Sequence, residues 1–326
     1  MHAVRLHAFG PAENLVLEKT ADPEPGPGQV RIAVAAAGVH LLDTALREGA
    51  QGPAPEPTRL PTIPGREVAG TVDSAGEGVD PGLLGRRVVV HLGFAPGGYA
   101  ELAVADAARL HEIPDGLGFA AAVAMIGTGR TAMGIVQFGE LGPGSVAVIP
   151  AAAGGIGTLL VQYAKHAGAT VIGLAGGPEK TARVRANGAD LTLDYTREDW
   201  PERTRDHLGG RGATVVYDGV GGAVARETVA LLAPGGRHIV FGWSAEGIRD
   251  GGPYLVEGVS ERVLGPVMLG RAGGPDPLRT LETRALAEAA AGRLTPAVQL
   301  FPLAEAAAAH RALETRRTVG KVVLEP

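Results

Sequence analysis

The stretch Ser145-Val-Ala-Val-Ile-Pro-Ala-Ala-Ala-Gly-Gly-Ile-Gly157 carries the most chemistry in this 326-residue chain. An apolar run leads into a turn of small residues and then a helical pattern, with the fingerprint Ala152-x-Gly154-x-x-Gly157 at the junction. Glycine at 154 lets the backbone approach a pyrophosphate. Gly155 and Ile156 carry the turn into the helix, and Gly157 lets that helix pack close to the strand. Unpaired N–H groups and the dipole at the helix start then attract phosphate. Such a fingerprint is weak by itself in a chain with 50 glycines. Its setting gives it weight: a strand before, a helix after, and a second strand at 170–174. Dinucleotide binding is expected here rather than a purely structural turn.

Which dinucleotide depends on the end of that second strand. A reader of the ribose 2′-hydroxyl needs Asp or Glu there, about 20 residues past the glycines. The chain offers Leu174-Ala-Gly-Gly-Pro-Glu-Lys180 instead, with no carboxylate at 175–177. Gly176 and its neighbour leave room for a larger group. Pro178 suits the first turn of a helix whose N-terminus faces a phosphate, and Lys180 lies near enough to pair with it. Glu179 is a counter-signal unless it points to solvent. A 2′-phosphate, and hence NADPH, is the expectation.

A parallel sheet must hold these residues, and the chain is patterned for one from its middle onward. Residues 120–138, 156–167, 180–187 and 226–232 read as helices, the third closed by Gly188. Between them, 146–149, 170–174, 191–193, 214–217 and 238–241 read as apolar strands. That alternation implies an α/β fold with a doubly wound parallel sheet covered on both faces. The first third differs. Short alternating segments at 2–8, 29–34, 69–72 and 87–91 are punctuated by turn formers such as Asp22-Pro-Glu-Pro-Gly-Pro-Gly28, which suggests a small barrel-like β domain. The last sixty residues offer a strand-like 263–269, helices near 278–291 and 303–316, and a closing strand at 319–324.

Composition narrows the classes. The length suggests about two domains, and 45% apolar residues argue against disorder. A net charge of -5 speaks against nucleic-acid binding through broad positive charge. The absence of cysteine removes disulfides, iron–sulfur clusters and thiolate–zinc sites. No apolar run reads as long as the roughly 18 residues of a membrane span, and no basic-then-apolar leader opens the chain, so a soluble cytoplasmic protein is expected.

With these residues in view, the chain resembles the zinc-independent quinone oxidoreductase branch of the medium-chain dehydrogenase/reductase superfamily, essentially end to end. The resemblance rests on short matches in the family's order. Among them are Gly38-Val-His-Leu-Leu-Asp43, Ile63-Pro-Gly-Arg-Glu-Val-Ala-Gly70, Gly97-Gly-Tyr-Ala-Glu101 and Ile126-Gly-Thr-Gly-Arg-Thr-Ala132. The region 151–157, Asp194-Tyr195, Asp218-Gly-Val-Gly-Gly222, Pro234-Gly-Gly-Arg237 and Gly320-Lys-Val-Val-Leu324 continue it. It implies a Rossmann domain (121–268) inserted in a GroES-like β-barrel substrate domain (1–120 and 269–326), with the active site in the cleft between them. It also implies a homodimer joined through the cofactor domain. Lys180 and Tyr195 would flank the 2′-phosphate, and Thr131 would contact the nicotinamide ribose. Val220 and Gly221 would line the cofactor site. The segment Phe241-Gly242-Trp243-Ser244 would hold the nicotinamide edge.

Zinc-dependent relatives carry Cys where this chain has His40, and Gly-His-Glu where it has Gly65-Arg66-Glu67. A catalytic zinc needs three protein ligands and an open position, and Arg66 brings positive charge beside any ion, so no metal is expected. The other histidines show no ligand spacing. Without a Lewis acid, a localised alkoxide is hard to stabilise. A quinone or an α,β-unsaturated carbonyl delocalises the charge that hydride brings, so hydrogen-bond donors suffice. His40 is the candidate donor of a hydrogen bond or proton; Asp43 either orients it or caps local backbone. Relatives mostly place Asn at 40, and many place a cleft Tyr at 51, where this chain has Gln51. Residues 49–64, rich in proline, form either a lid or an inert loop. Arg130, Trp243 and Arg316 are lesser candidates. The expected activity is NADPH-dependent reduction of quinones or related enones, small-molecule substrates. The alternatives are enoyl-thioester reduction or cofactor binding with little catalysis.

Overall fold

A computed structural model describes residues 1–51, 57–245, 254, 256–265 and 267–326, in two units: 1–128 with 296–326, and 129–295. The first unit begins with β1 (His2–Leu6), β2 (Leu15–Lys19), β3 (Gln29–Val39), α1 (Leu41–Arg47) and β4 (Glu67–Ala75). It continues with β5 (Arg87–His91), β6 (Leu102–Asp106), β7 (His111–Glu112) and α2 (Phe119–Ala124). The second unit opens with α3 (Arg130–Val136), β8 (Val146–Ile149), α4 (Gly155–His166), β9 (Thr170–Ala175), α5 (Pro178–Ala186) and β10 (Leu191–Asp194). Then come α6 (Trp200–Leu208), β11 (Ala213–Asp218), α7 (Gly222–Val229), β12 (Leu232–Val240), β13 (Ser260–Val263), α8 (Val267–Ala272) and α9 (Pro277–Ala290). The chain returns to the first unit with β14 (Val298–Pro302), α10 (Ala306–Glu314) and β15 (Lys321–Glu325).

In the first unit the sheet order is β14-β15-β3-β4-β5-β7, with β6 also paired to β3. Alternation along β3 turns Val30, Ile32 and Val34 into a core shared with Val68, Val88 and Leu324. Register then decides which polar residues meet. Val39 of β3 faces Val322 of β15, Ala37 faces Val68 of β4, and Glu67 faces His91 of β5. Those pairings bring the ends of four strands, with His40, Glu67, His91 and Lys321, to one edge. Helix α1, which the hydrophobic pattern did not announce, starts there because Asp43 reaches back and accepts the His40 backbone N–H at 2.8 Å.

The second unit's sheet runs β10-β9-β8-β11-β12-β13, every neighbour parallel. Renumbered from β8 this is the order 3-2-1-4-5-6 of the dinucleotide-binding fold, whose order reverses between β8 and β11. All four residues of β8 are buried, as a strand covered on both faces requires.

Three sequence readings shift. The strand expected at 263–269 ends at Val263 and gives way to α8, because Gly265-Pro266 interrupts the apolar run. The return expected at 269 begins at 296, since α9 packs on α3 and α8 within the second unit, and the first crossing comes at 129 rather than 121. Residues 119–136 also form an 18-residue helical run of mean hydropathy 1.4, long and apolar enough on those grounds to cross a membrane. That corrects the reading that no segment is. With 72% of it buried within the protein, it is accounted for as a core helix.

Candidate functional site

The candidate cofactor residues all follow the C-terminal ends of strands in the second unit's sheet. After β8 the backbone at Ala151 takes φ +50°, a left-handed conformation costly for a residue with a Cβ and frequent at functional turns. Gly154 caps α4, and a Cβ there would meet only the Ala151 carbonyl, at 3.2 Å. Gly157 has no such freedom: its Cβ would stand 2.4 Å from the Ala151 oxygen and 2.7 Å from the Ala152 Cα. Only glycine permits α4 to start this close to the turn. Gly155 and Ile156 form the first turn of α4, where the Thr158 hydroxyl is buried with no hydrogen-bond partner among the described residues. A backbone bare of side chains at Gly154, unspent helix N–H groups and an orphaned hydroxyl fit a phosphate-bearing dinucleotide.

Gly176 follows β9, Lys180 lies in the first turn of α5, and Tyr195 follows β10. A Cβ on Gly176 would be 3.6 Å from the Tyr195 ring, so these two positions meet. The acids nearby are occupied. Glu179 is 78% exposed and pairs with Arg183 at 3.3 Å. Asp194, which the sequence matches include but to which they give no role, accepts the Thr196 N–H and hydroxyl at 3.0 and 2.7 Å. Those bonds and one from the Gly177 backbone hold its carboxyl below the ordinary range.

The loops after β11 and β12 are zipped together. Phe241 N–H donates to the Asp218 carbonyl at 2.8 Å, Ser244 N–H to Gly219 at 3.2 Å and Ala245 N–H to Val220 at 2.9 Å. Gly242 lies within that ladder. Beneath it is a feature missed from sequence. The buried His238 places Nε2 3.2 Å from Asp218 Oδ2 and Nδ1 2.9 Å from Glu261 Oε2. The other Asp218 oxygen accepts the N–H groups of Val220 and Gly221 at 2.8 and 3.0 Å. One imidazole thus fixes the carboxylate that shapes the loop containing Val220. The signal was available as His238 in an otherwise apolar strand.

In the first unit, His40 stands between two carboxylates, with Nε2 2.8 Å from Glu67 Oε1 and Nδ1 3.6 Å from Asp43 Oδ2. Glu67 Oε2 lies 2.8 Å from Lys321 Nζ, and both side chains are buried. Gly127, in a π-helical turn at Met125–Gly129, backs this contact; a Cβ there would lie 1.5 Å from Glu67 Oε1. Burial opposes charge on His40, yet the Glu67 carboxylate outweighs it and raises the ring's pKa. Burial likewise opposes charge on Glu67, but His40 and Lys321 hold its carboxyl well below the usual range. Asp43 is pulled down to about 2 against burial, chiefly by His40, with Arg66 assisting.

Asp43 does both jobs foreseen for it, unequally. It caps the His40 backbone directly, while its distance to the ring is long; Glu67 is the nearer partner of the imidazole. It also accepts the Tyr99 hydroxyl at 3.1 Å, and Tyr99 in turn meets His310 Nε2 at 3.2 Å. Burial depresses His310 to about 4, so that ring is neutral near pH 7. Thr131 lies in α3, in the second unit with the cofactor candidates. Arg130 donates to Glu282 at 2.8 Å, which gives it a structural task. The Trp243 Nε1 is buried with no hydrogen-bond partner among the described residues, Gln51 and Arg316 are exposed, and 52–56 of the proline-rich loop fall outside the described residues.

Among the described residues no three His, Cys, Asp or Glu side chains gather as a metal site requires. The donor chemistry agrees: both oxygens of Glu67 are engaged by cations, and the neighbouring position carries a guanidinium. These residues do not fit zinc.

Comparison with known proteins gives matches over both units. Residues 26–115 match the alcohol dehydrogenase GroES-like domain, and residues 155–269 match the zinc-binding dehydrogenase family. A 2-haloacrylate reductase from Burkholderia sp. is 34% identical over 335 residues, covering 99% of this chain and 98% of that protein. A quinone oxidoreductase from Pseudomonas aeruginosa is 34% identical over 328 residues, covering 99% of each. The crystal structure of Escherichia coli quinone oxidoreductase complexed with NADPH superposes with a TM-score of 0.86, at 28% identity and 100% coverage of both chains.

Proposed function

Because the chain belongs to the quinone oxidoreductase branch of the medium-chain dehydrogenase/reductase superfamily, we propose that it is a zinc-independent, NADPH-dependent reductase of quinones or related α,β-unsaturated carbonyls. The carrying observation is the convergence of the turns after β8, β9, β10, β11 and β12 on one edge of a parallel sheet in dinucleotide-binding order. When bound, the dinucleotide supplies a hydride to the acceptor. Gly154 to Gly157 hold its pyrophosphate, and Lys180 with Tyr195 and Gly176 receives the 2′-phosphate. The zipped loops bearing Val220, Phe241, Gly242 and Ser244 hold the nicotinamide end, with Thr131 on its ribose.

His40 acts on the acceptor. Glu67 raises the pKa of its ring, which favours the protonated form, so that positive charge stands near the negative charge that develops on the acceptor oxygen or α-carbon. Asp43 is a positioning residue through the backbone cap. No step runs through a metal. Delocalised charge in an activated π system makes this modest electrophilic help sufficient, and relatives named for quinone and 2-haloacrylate reduction support acceptors of that kind. A cytoplasmic homodimer is part of the proposal, supported by β13, which ends the sheet order with Val263 44% exposed.

Steady-state NADPH oxidation with a naphthoquinone, a 2-alkenal and crotonyl-CoA tests the reading. Turnover of the first two is expected. Turnover of the thioester alone would point to enoyl-thioester reduction, and none at all to cofactor binding without catalysis.

A further inference from the structure

Arg66 has no part in the reduction described above, yet its side chain is only 13% exposed. Among the described residues its Nε is buried without a hydrogen-bond partner, and the acid it pairs with, Asp43 Oδ1, stands 3.5 Å from one terminal nitrogen, too far for a strong hydrogen bond. Asp43 cannot close that gap cheaply. Its other oxygen is held by the His40 backbone N–H and the Tyr99 hydroxyl. Charges around it do not cancel either. Among the described residues, the acids paired with His40, Arg66 and Lys321 are Asp43 and Glu67, which leaves one positive charge over when His40 is protonated.

A nearly buried guanidinium with unspent donors is costly, and the cost is removed by an anion that accepts from its planar fork. A carboxylate matches that fork in shape and charge. We propose that Arg66 is an anion anchor: the acceptor carries a carboxylate beside its activated double bond, held by the guanidinium in the His40 cluster. This rests on the reading of that cluster as the acceptor site. It narrows the substrate class from neutral quinones and enones to acidic ones.

The test compares a 4-oxo-2-enoate with its methyl ester in steady state, for the native protein, Arg66→Gln and Arg66→Lys. The native protein should prefer the acid by about tenfold or more in kcat/KM. Arg66→Gln should bring that preference close to one, and Arg66→Lys, which keeps the charge beside Asp43, should retain part of it. Equal use of acid and ester by the native protein overturns the anchor while leaving the reductase reading intact. So does a rise in the KM for NADPH in place of a loss of acid preference. Should no acceptor turn over, the reductase reading fails, and calorimetric binding of the saturated 4-oxoalkanoate decides the anchor independently. Binding lost in Arg66→Gln supports it; absent or unchanged binding overturns it.

Discussion

Glu67 Oε1 stands 2.8 Å from Nε2 of His40, so the imidazole that faces the proposed acceptor shares its proton with a buried carboxylate. The same carboxylate neutralises Lys321 through its other oxygen. Removing its charge acts on both partners. In Glu67→Gln the pKa of His40 should fall, because the attraction that raises it is gone. If protonated His40 is the acid, activity is lost as pH rises through its pKa, and the alkaline limb of the kcat profile must move to lower pH. We expect kcat to drop about tenfold to a hundredfold as well. A profile that keeps its alkaline limb would remove His40 from the chemistry.

Asp43 links the same cluster to stability in acid. Its carboxyl titrates near 3.8 when unfolded and about 2 in the folded protein, so its stabilisation is present above 3.8 and is lost as pH falls toward 2. That difference corresponds to about 2 kcal/mol. Asp43→Asn should therefore lose less stability than the native protein across that window, read by denaturant unfolding at several pH values. His40 has the opposite sign. Its raised pKa gives stability below the ordinary 6.5 that fades as pH climbs through the folded value.

His238 should matter for the cofactor without touching it. Replacing it with Phe removes the ring nitrogens that contact the buried Asp218 and the largely buried Glu261, at a cost of about 1–3 kcal/mol. Asp218 is then free to release the N–H groups of Val220 and Gly221, so NADPH affinity should fall. His238→Gln, which still donates to one carboxylate, should recover part of it. Cofactor titration by nicotinamide fluorescence, alongside thermal unfolding, separates the two effects. Full affinity in a folded Phe variant would show that the loop does not depend on this contact.

Lys180 is the cation of the first turn of α5, beyond a strand end with no acid at 175–177. Lys180→Ala should raise the KM for NADPH about tenfold more than that for NADH, the loss of one charge-assisted contact to phosphate. Equal effects on both cofactors would show that it does not read the phosphate.

The local signals for the second unit were strong enough to survive translation into structure. Its apolar strands alternate with helices, and the small residues at 151–157 stand where strand, turn and helix join. The polar cluster of the first unit was only half legible. His40 and Asp43 lie three residues apart, so their capping relation could be read along the chain. Glu67 and Lys321 are 254 positions apart, and only the register of β15 on β3 and β3 on β4 brings them together. The boundary near 269 was misplaced for a similar reason. Whether α9 belongs to one unit or the other is decided by packing on α3, which no periodicity records.

The central claim is that hydride transfer from the nicotinamide cofactor proceeds here without a metal ion. The direct measurement is NADPH oxidation with a naphthoquinone before and after exhaustive chelation, with metal analysis of the same protein. We predict substoichiometric zinc and an unchanged rate. Activity that disappears with the chelator and returns on adding zinc would contradict the account.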